Sequence, residues 1–236
     1  NTWYNQTGVE FFDVMFKIFN FYWTSVTRKI VREIALFGFV FISGISCSFS
    51  RNNYKRAAQL ILVYGIITIG SNLLQYITFN PSEEEHRSFF IDFNVIGVLA
   101  WSVLIYCFFQ KWSWKGLTAV GLICFLFTIL VIPILKNING LEEAYCPPLW
   151  NGQKYINGVA MNPADWMPLF PYICYFFAGA VAAKFLYKEK KSLFKRHEWE
   201  RSICFIGRNT LWIYLGHEPL LLILFPLIGA IIVALC

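Results

Sequence analysis

Residues 34–50 read IALFGFVFISGISCSFS and carry no charged side chain between Glu33 and Arg51. A helix needs about 20 predominantly apolar residues to cross the ~30 Å hydrocarbon core of a bilayer. The run is close to that length and lacks the alternation typical of a transmembrane β-strand. It therefore predicts a membrane-spanning helix, and this prediction decides the fold class.

Comparable charge-free runs recur along the chain. Because helices satisfy their own backbone polar groups in lipid, the sequence predicts an all-α fold, a polytopic transmembrane helical bundle of about six to seven spans. We expect a single integral-membrane domain over residues 1–236, in which the last run forms one kinked helix or two short ones. The predicted spans lie near residues 33–50, 57–79, 92–110, 115–135, 166–187 and 203–235.

The composition excludes several classes of protein. Hydrophobic residues make up 57% of the chain and charged residues only 14%, whereas soluble domains carry about 25% charged residues. A soluble protein with so few charges would expose large apolar patches. The net charge of +6 comes from short basic clusters rather than a basic face, which argues against nucleic-acid binding. The seven cysteines form no CxxC pair, so we expect neither a disulfide framework nor a metal site.

The loops between the runs predict an orientation. Loops 51–56, 111–115 and 188–201 are rich in lysine and arginine, whereas 80–90 and 136–164 are acidic or mixed. Basic loops face the cytoplasm. The run at residues 34–50 then crosses from outside to inside.

The N-terminal segment has a different pattern. Residues 9–30 carry polar side chains at every third or fourth position opposite an aromatic face, which indicates an amphipathic helix at the outer interface or along a polar groove. An outside N-terminus without an export signal predicts that a preceding helix is missing from this sequence.

The strongest candidate for chemistry is the sequence His217-Glu218-Pro219 in the last run. If the helix enters the membrane near Arg208, His217 lies about 13 Å deep, and Pro219 kinks the helix beside it. Ionisable groups at such depth are costly and indicate function. His217 acts either as a general base or as a structural hydrogen-bonding residue. His86 and His197 lie in charged loops and are interpreted as solvated.

Polar residues at the helix ends are further candidates. Asp92, Asn94 and Asp165 lie at predicted outer ends, where they are either solvated or bind a polar acceptor. Gly179 and Ala183 form a small-residue face that favours close helix packing over a ligand site. The inner basic residues mark topology and contact lipid headgroups, or they bind the phosphates of an acyl-CoA; the candidates are Arg51, Lys55, Arg56 and Lys111.

Three stretches together resemble a known family. They are 39–53 (FVFISGISCSFSRNN), 168–179 (PLFPYICYFFAG) and 205–219 (FIGRNTLWIYLGHEP). In this order they are similar to bacterial membrane proteins related to the catalytic domain of heparan-alpha-glucosaminide N-acetyltransferase. The resemblance covers residues 31 to 225.

The resemblance implies acyl transfer across a membrane, here a bacterial plasma membrane. Acetyl-CoA or another acyl-CoA serves as the cytoplasmic donor, and a glycan-like or other polar molecule is the outer acceptor. The family's final-helix motif maps onto His217 and Pro219, with Glu218 beside them and Tyr214 as an acceptor-binding candidate. Asn94 stands where the family has a histidine. The family's first-helix motif, acidic-x-x-Arg-Gly with an outward histidine, is absent.

Two functional hypotheses follow. In the first, the chain is a membrane acyltransferase with His217 and Glu218 as catalytic residues, with no metal. In the alternative, the same helices form a non-catalytic transport or assembly subunit, although the sequence has no convincing internal repeat of the kind common in transporters.

Overall fold

The computed structural model describes residues 10–78, 90–138, 146–150, 154–156 and 159–186, and the single positions 216, 220, 224, 227 and 228. The chain divides into two compact units, Asn1–Arg32 with Ser192–Cys236, and Glu33–Lys191. Apart from those five single positions, the predicted span at 203–235 lies outside the described residues, as do the candidates Tyr214, His217 and Glu218.

The described chain is mostly helical. The helices are α1 (Glu10–Thr24), α2 (Val26–Phe49), α3 (Asn53–Thr78), α4 (Val95–Phe109), α5 (Trp114–Leu126), α6 (Ile132–Lys136) and α7 (Tyr172–Leu186). A π-helical turn at Phe127–Val131 joins α5 to α6, and the strands β1 (Lys154–Ile156) and β2 (Val159–Met161) form an antiparallel hairpin in the register Lys154 to Met161.

Three helical stretches are long and apolar enough to cross a membrane: Val26–Phe49, Asn53–Ile77 and Trp114–Lys136. Two shorter apolar helices, Val95–Phe109 and Tyr172–Leu186, accompany them. The prediction of a mostly helical fold with candidate membrane spans is therefore confirmed, while the total of six to seven spans stays a prediction.

Helix α3 has one lipid-compatible face and one polar face. Leu62, Ile66, Ile69 and Leu73 are all more than half exposed, and their spacing of three or four residues places them on a common side. No water would hydrate this side in a bilayer, so it suits contact with acyl chains. The opposite face carries the hydrogen-bonding groups described in the next section.

The core of the second unit lies between α2, α4 and α7. Tyr106 of α4 packs its ring against Phe176 and Phe177 of α7, with centroids 5.9 and 6.4 Å apart. Its hydroxyl lies 3.1 Å from Ser48 Oγ of α2. Aromatic packing and one partly buried polar contact thus join three helices at one level.

Glycines allow α2 and α7 to approach closely. A β-carbon on Gly44 would collide with the carbonyl oxygen of Phe176, and one on Gly179 would collide with the carbonyl oxygen of Phe41. Gly179 and Ala183 are both buried. The interpretation of this small-residue face as a helix-packing surface is confirmed.

The helix boundaries differ from the charge-free runs. The first span was predicted from residue 33, but α2 begins at Val26 and includes Arg28 and Arg32. Charges limit how far a helix enters lipid, whereas the helix itself continues until a residue caps it. Ser25 does so, because its hydroxyl accepts a hydrogen bond from Arg28 N at 3.2 Å. The same cap separates α1 from α2 within the predicted amphipathic segment.

Two local features were not predicted. The π-helical turn precedes Pro133, which lacks a backbone donor and crowds the preceding turn. Within it, the Ile132 N–H donates to Phe127 O. The β1–β2 hairpin lies in the long loop 136–164 and adds a small β element to a fold predicted as all-α.

Candidate functional site

The polar face of α3 is formed by Tyr64, Thr68, Ser71, Asn72 and Gln75. These positions are three, four or one residue apart, so they lie along one side of the helix. In a membrane helix such groups need internal partners. Most of them find partners in the extended segment 90–94, which leads into α4. Gln75 instead donates from Nε2 to Met161 Sδ of β2 at 3.7 Å.

Three hydroxyl groups fix the backbone of that segment. Tyr64 Oη donates to Asp92 O at 2.7 Å, and Thr68 Oγ1 donates to the same carbonyl at 3.3 Å. Ser71 Oγ accepts from Ile91 N at 2.9 Å. The main chain beside Asp92 is therefore anchored to α3 independently of its side chain.

The Asp92 side chain is part of a polar cluster with Asn72 and Lys154. Lys154 Nζ lies 3.1 Å from Asp92 Oδ1, 3.3 Å from Oδ2 and 2.6 Å from Asn72 Oδ1. Asn72 Nδ2 also donates to Asp92 Oδ1 at 3.1 Å. The Asp92 side chain is only 8% exposed, so Asp92 is a buried, paired carboxylate rather than a solvated one.

Asn94 has a defined role at the start of α4. Its Oδ1 accepts hydrogen bonds from Ile96 N and Gly97 N, both at 3.1 Å, which is the N-cap arrangement. Gly97 lies against the Tyr64 ring, because a β-carbon added to Gly97 would be only 3.0 Å from Tyr64 Cε2. Asn94 thus orients the helix start beside the polar cluster and is itself buried.

Asp165 lies in a segment that runs parallel to residues 90–93. Ile91 and Asp165 form a parallel bridge. Ala164 N donates to Phe90 O at 2.9 Å and Met167 N donates to Phe93 O at 2.7 Å. The structure therefore brings the outer candidates Asp92, Asn94 and Asp165 to one end of the unit.

The predicted basic residues gather at the opposite end of α3. Arg51 lies in the turn between α2 and α3, Lys55 and Arg56 lie in the first turn of α3, and Lys111 follows α4. Arg51, Lys55 and Lys111 are exposed, and Arg56 is partly buried.

Hydrogen bonds from side chains hold these turns together. Asn53 Nδ2 donates to Cys47 O at 3.0 Å and to Gln110 Oε1 at 3.2 Å. Lys184 Nζ donates to the carbonyls of Gln110, at 2.7 Å, and Trp112. Arg56 donates to Ser46 Oγ at 2.8 Å and to Ser43 Oγ at 3.4 Å. The basic end is thus a fixed arrangement of four helix ends, those of α2, α3, α4 and α7.

The two ends are about 24 Å apart, because Arg56 and Asn72 are separated by sixteen residues of α3 at about 1.5 Å per residue. That distance is comparable to the thickness of a bilayer's hydrocarbon core. Exposed cations at the basic end suit anionic phosphates, whereas the polar cluster offers a carboxylate and an amide. Among the described residues, no group of three or more His, Cys, Asp or Glu side chains is arranged to hold a metal.

Several members of this site were missed in the sequence. Tyr64, Thr68 and Ser71 carry a detectable signal, since they continue the helical spacing of Asn72 and Gln75. Lys154 carries none, because its partners Asn72 and Asp92 are distant in sequence and its loop has no periodic pattern. Lys184 lies within the predicted span at 166–187, and its partners Gln110 and Trp112 are distant in sequence.

Comparisons with known proteins bear on the family. Comparison with curated proteins and with solved structures gave no match. A family model described as heparan-alpha-glucosaminide N-acetyltransferase, catalytic, matches residues 11–219, and this range contains the whole of the polar face of α3 and the basic end. It also contains all three sequence stretches that carried the resemblance. The chain therefore belongs to the family of the heparan-alpha-glucosaminide N-acetyltransferase catalytic domain.

Proposed function

We propose that the chain is a membrane-bound acyltransferase. It moves an acyl group, acetyl in the simplest case, from a cytoplasmic acyl-CoA to a sugar or other polar acceptor outside a bacterial plasma membrane. Family membership carries this proposal. It is supported by a basic end and a polar cluster that lie about 24 Å apart on one helix. The proposed bundle is a single domain with six to seven spans.

The donor binds at the basic end. Arg51, Lys55 and Lys111 are exposed at the basic end, with Lys55 in the first turn of α3, so their charges are available to the phosphates of acyl-CoA. Arg56 is held towards α2 by Ser46 and Ser43, which fixes one guanidinium at the base of this surface. Charge-assisted hydrogen bonds to phosphate are about twice as strong as neutral ones.

The acceptor binds at the opposite end. Asp92 and Asp165 supply carboxylates for hydroxyl or amino groups, and Asn94 holds the start of α4 beside them. Tyr214 is proposed as a further contact. The hydroxyl groups of Tyr64, Thr68 and Ser71 on α3 hold the backbone at this end in place. Binding groups that are held in place favour a productive orientation of the bound acceptor.

His217 is the proposed general base. It takes the proton from the acceptor's N–H or O–H while that atom attacks the thioester carbonyl carbon. The tetrahedral intermediate collapses, the C–S bond breaks, and the CoA thiolate receives the proton. Glu218 stabilises the imidazolium that forms between these steps, as a carboxylate does in hydrolase triads.

The test uses the full chain in proteoliposomes with radiolabelled acetyl-CoA on one side and cell-envelope glycans on the other. We expect label to appear covalently on a glycan, with none in liposomes that lack the protein. No transfer to any glycan would contradict the reaction. Passage of an unmodified solute without transfer of label would instead support the transport subunit.

A further inference from the structure

Lys154 occupies an arrangement of acceptor groups that resembles a binding site for an ammonium ion. Its Nζ faces Asn72 Oδ1 and both oxygens of Asp92, at 2.6, 3.1 and 3.3 Å. It also lies 4.5 Å from the centroid of the Phe90 ring, within the range of cation–π attraction. An ammonium group has three donors, and three oxygens face it here. We call Phe90, Asn72 and Asp92 the cage.

The orientation of the Asn72 amide in the cage is fixed by groups other than Lys154. Asn72 Nδ2 donates to Thr68 O at 2.8 Å and to Asp92 Oδ1 at 3.1 Å. Both partners are acceptors, so the amide is oriented with its oxygen towards the cation. Reversal of this amide would place its oxygen against two other acceptors.

The position of the cage is also set by other groups. Tyr64 and Thr68 hold the Asp92 carbonyl, and Ser71 holds Ile91 N at 2.9 Å. Phe90 is fully buried and its carbonyl accepts from Ala164 N at 2.9 Å. The cage is therefore built on α3 and the parallel segments, whereas Lys154 comes from the hairpin.

We propose that the cage is a binding site for primary ammonium ions and that Lys154 is its tethered occupant. The hairpin is then held on the bundle by a site that an external primary ammonium also fits. Three directed hydrogen bonds distinguish such an ion from a quaternary ammonium, which offers none. Methylammonium is the probe, because it is a small primary ammonium ion with three donors.

The first test compares thermal unfolding of purified Lys154→Ala in detergent with methylammonium, tetramethylammonium or sodium chloride at equal ionic strength. We expect Lys154→Ala to unfold at a lower temperature than the wild type, and methylammonium alone to raise its midpoint by about 2–4 °C. The double variant Asp92→Asn with Lys154→Ala loses this response. Lys136→Ala is the matched control, because Lys136 is exposed at the end of α6 and its loss removes the same charge.

The second test uses the wild type, so it does not depend on the folding of a variant. Tyr155, beside Lys154, is 63% exposed and offers chymotrypsin a site on the hairpin. Methylammonium competes with Lys154, so cleavage after Tyr155 should accelerate roughly threefold over tetramethylammonium, since proteolysis follows the population of the released state. Equal effects of the two ions on both unfolding and cleavage would overturn the proposal.

Discussion

Gly44 and Gly179 lie at one crossing of α2 and α7, where each glycine faces a backbone carbonyl of the other helix. The carbonyls are those of Phe176 and Phe41. A methyl group at either position must push two helices apart. Both glycines belong to the stretches on which the family resemblance depended, so that part of the sequence signal has a packing cause.

Gly44→Ala and Gly179→Ala should each lower the free energy of unfolding by about 1–3 kcal/mol, the usual cost of overpacking. Unfolding in a denaturant series in detergent micelles measures this. Gly38→Ala is the control, because a β-carbon there meets nothing within 4 Å. It should be neutral or stabilising by up to ~1 kcal/mol, as for other glycines in helix interiors. Equal effects of all three substitutions would contradict the close crossing.

Asn94 should act mainly as a helix cap. Asn94→Ala removes the acceptor for Ile96 N and Gly97 N and should destabilise the protein by about 1–2 kcal/mol. Asn94→Ser keeps a capping oxygen and should retain most of the stability. Comparing acyl transfer by the two variants then separates capping from acceptor binding. Loss of transfer in a stable Asn94→Ser protein would assign the amide a direct contact.

The basic end should determine the affinity for the donor. The double variant Lys55→Gln with Lys111→Gln should raise KM for acyl-CoA about tenfold and leave kcat nearly unchanged, the pattern of binding lost equally from the ground state and the transition state. Both residues are exposed, so folding should not be affected. Lys136→Gln, which removes an exposed lysine away from the basic end, is the control for a general effect of lysine loss. An unchanged KM in the double variant would place the donor elsewhere.

His217→Ala should reduce kcat by about 10²–10⁴-fold if His217 is the general base. Single-turnover transfer of labelled acetyl measures the chemical step directly. His86→Ala and His197→Ala are the controls, since both residues lie in charged loops of the sequence. Full transfer by His217→Ala would remove the base role from this residue while leaving the acyltransferase proposal intact.

The sequence predicted those features that depend on composition and local spacing. Charge-free runs located apolar helices because few charges tolerate lipid, and the basic clusters at Arg51–Arg56 and Lys111 marked one end. The helix α2 extends past its run because Ser25 rather than a charge sets its start. Asn94 was predicted at the end of a span, but a cap depends on the backbone geometry at Ile96 and Gly97, which the sequence does not specify.

The pairing of Asp92 with Lys154 was not predictable in the same way. The two residues are separated by 62 positions, and their meeting depends on how a long, aperiodic loop folds back on the bundle. The sequence left Asp92 open between a solvated carboxylate and an acceptor-binding one. Because the Asp92 side chain is buried and paired with Lys154, it is not a solvated carboxylate in this structure. Its role in acceptor binding is a proposal.

The π-helical turn at Phe127–Val131 changes the phase of the helix that contains it. A turn closed by a bond from Ile132 N to Phe127 O holds one residue more than an α-helical turn. Residues beyond Val131 are therefore rotated by about 100° relative to an uninterrupted α-helix. Helical spacing on one side of the turn therefore does not continue in register on the other side. A residue before the turn does not lie on the same face as the residues after the turn that uninterrupted helical spacing would place beside it. A substitution before the turn therefore acts on a different face from those residues.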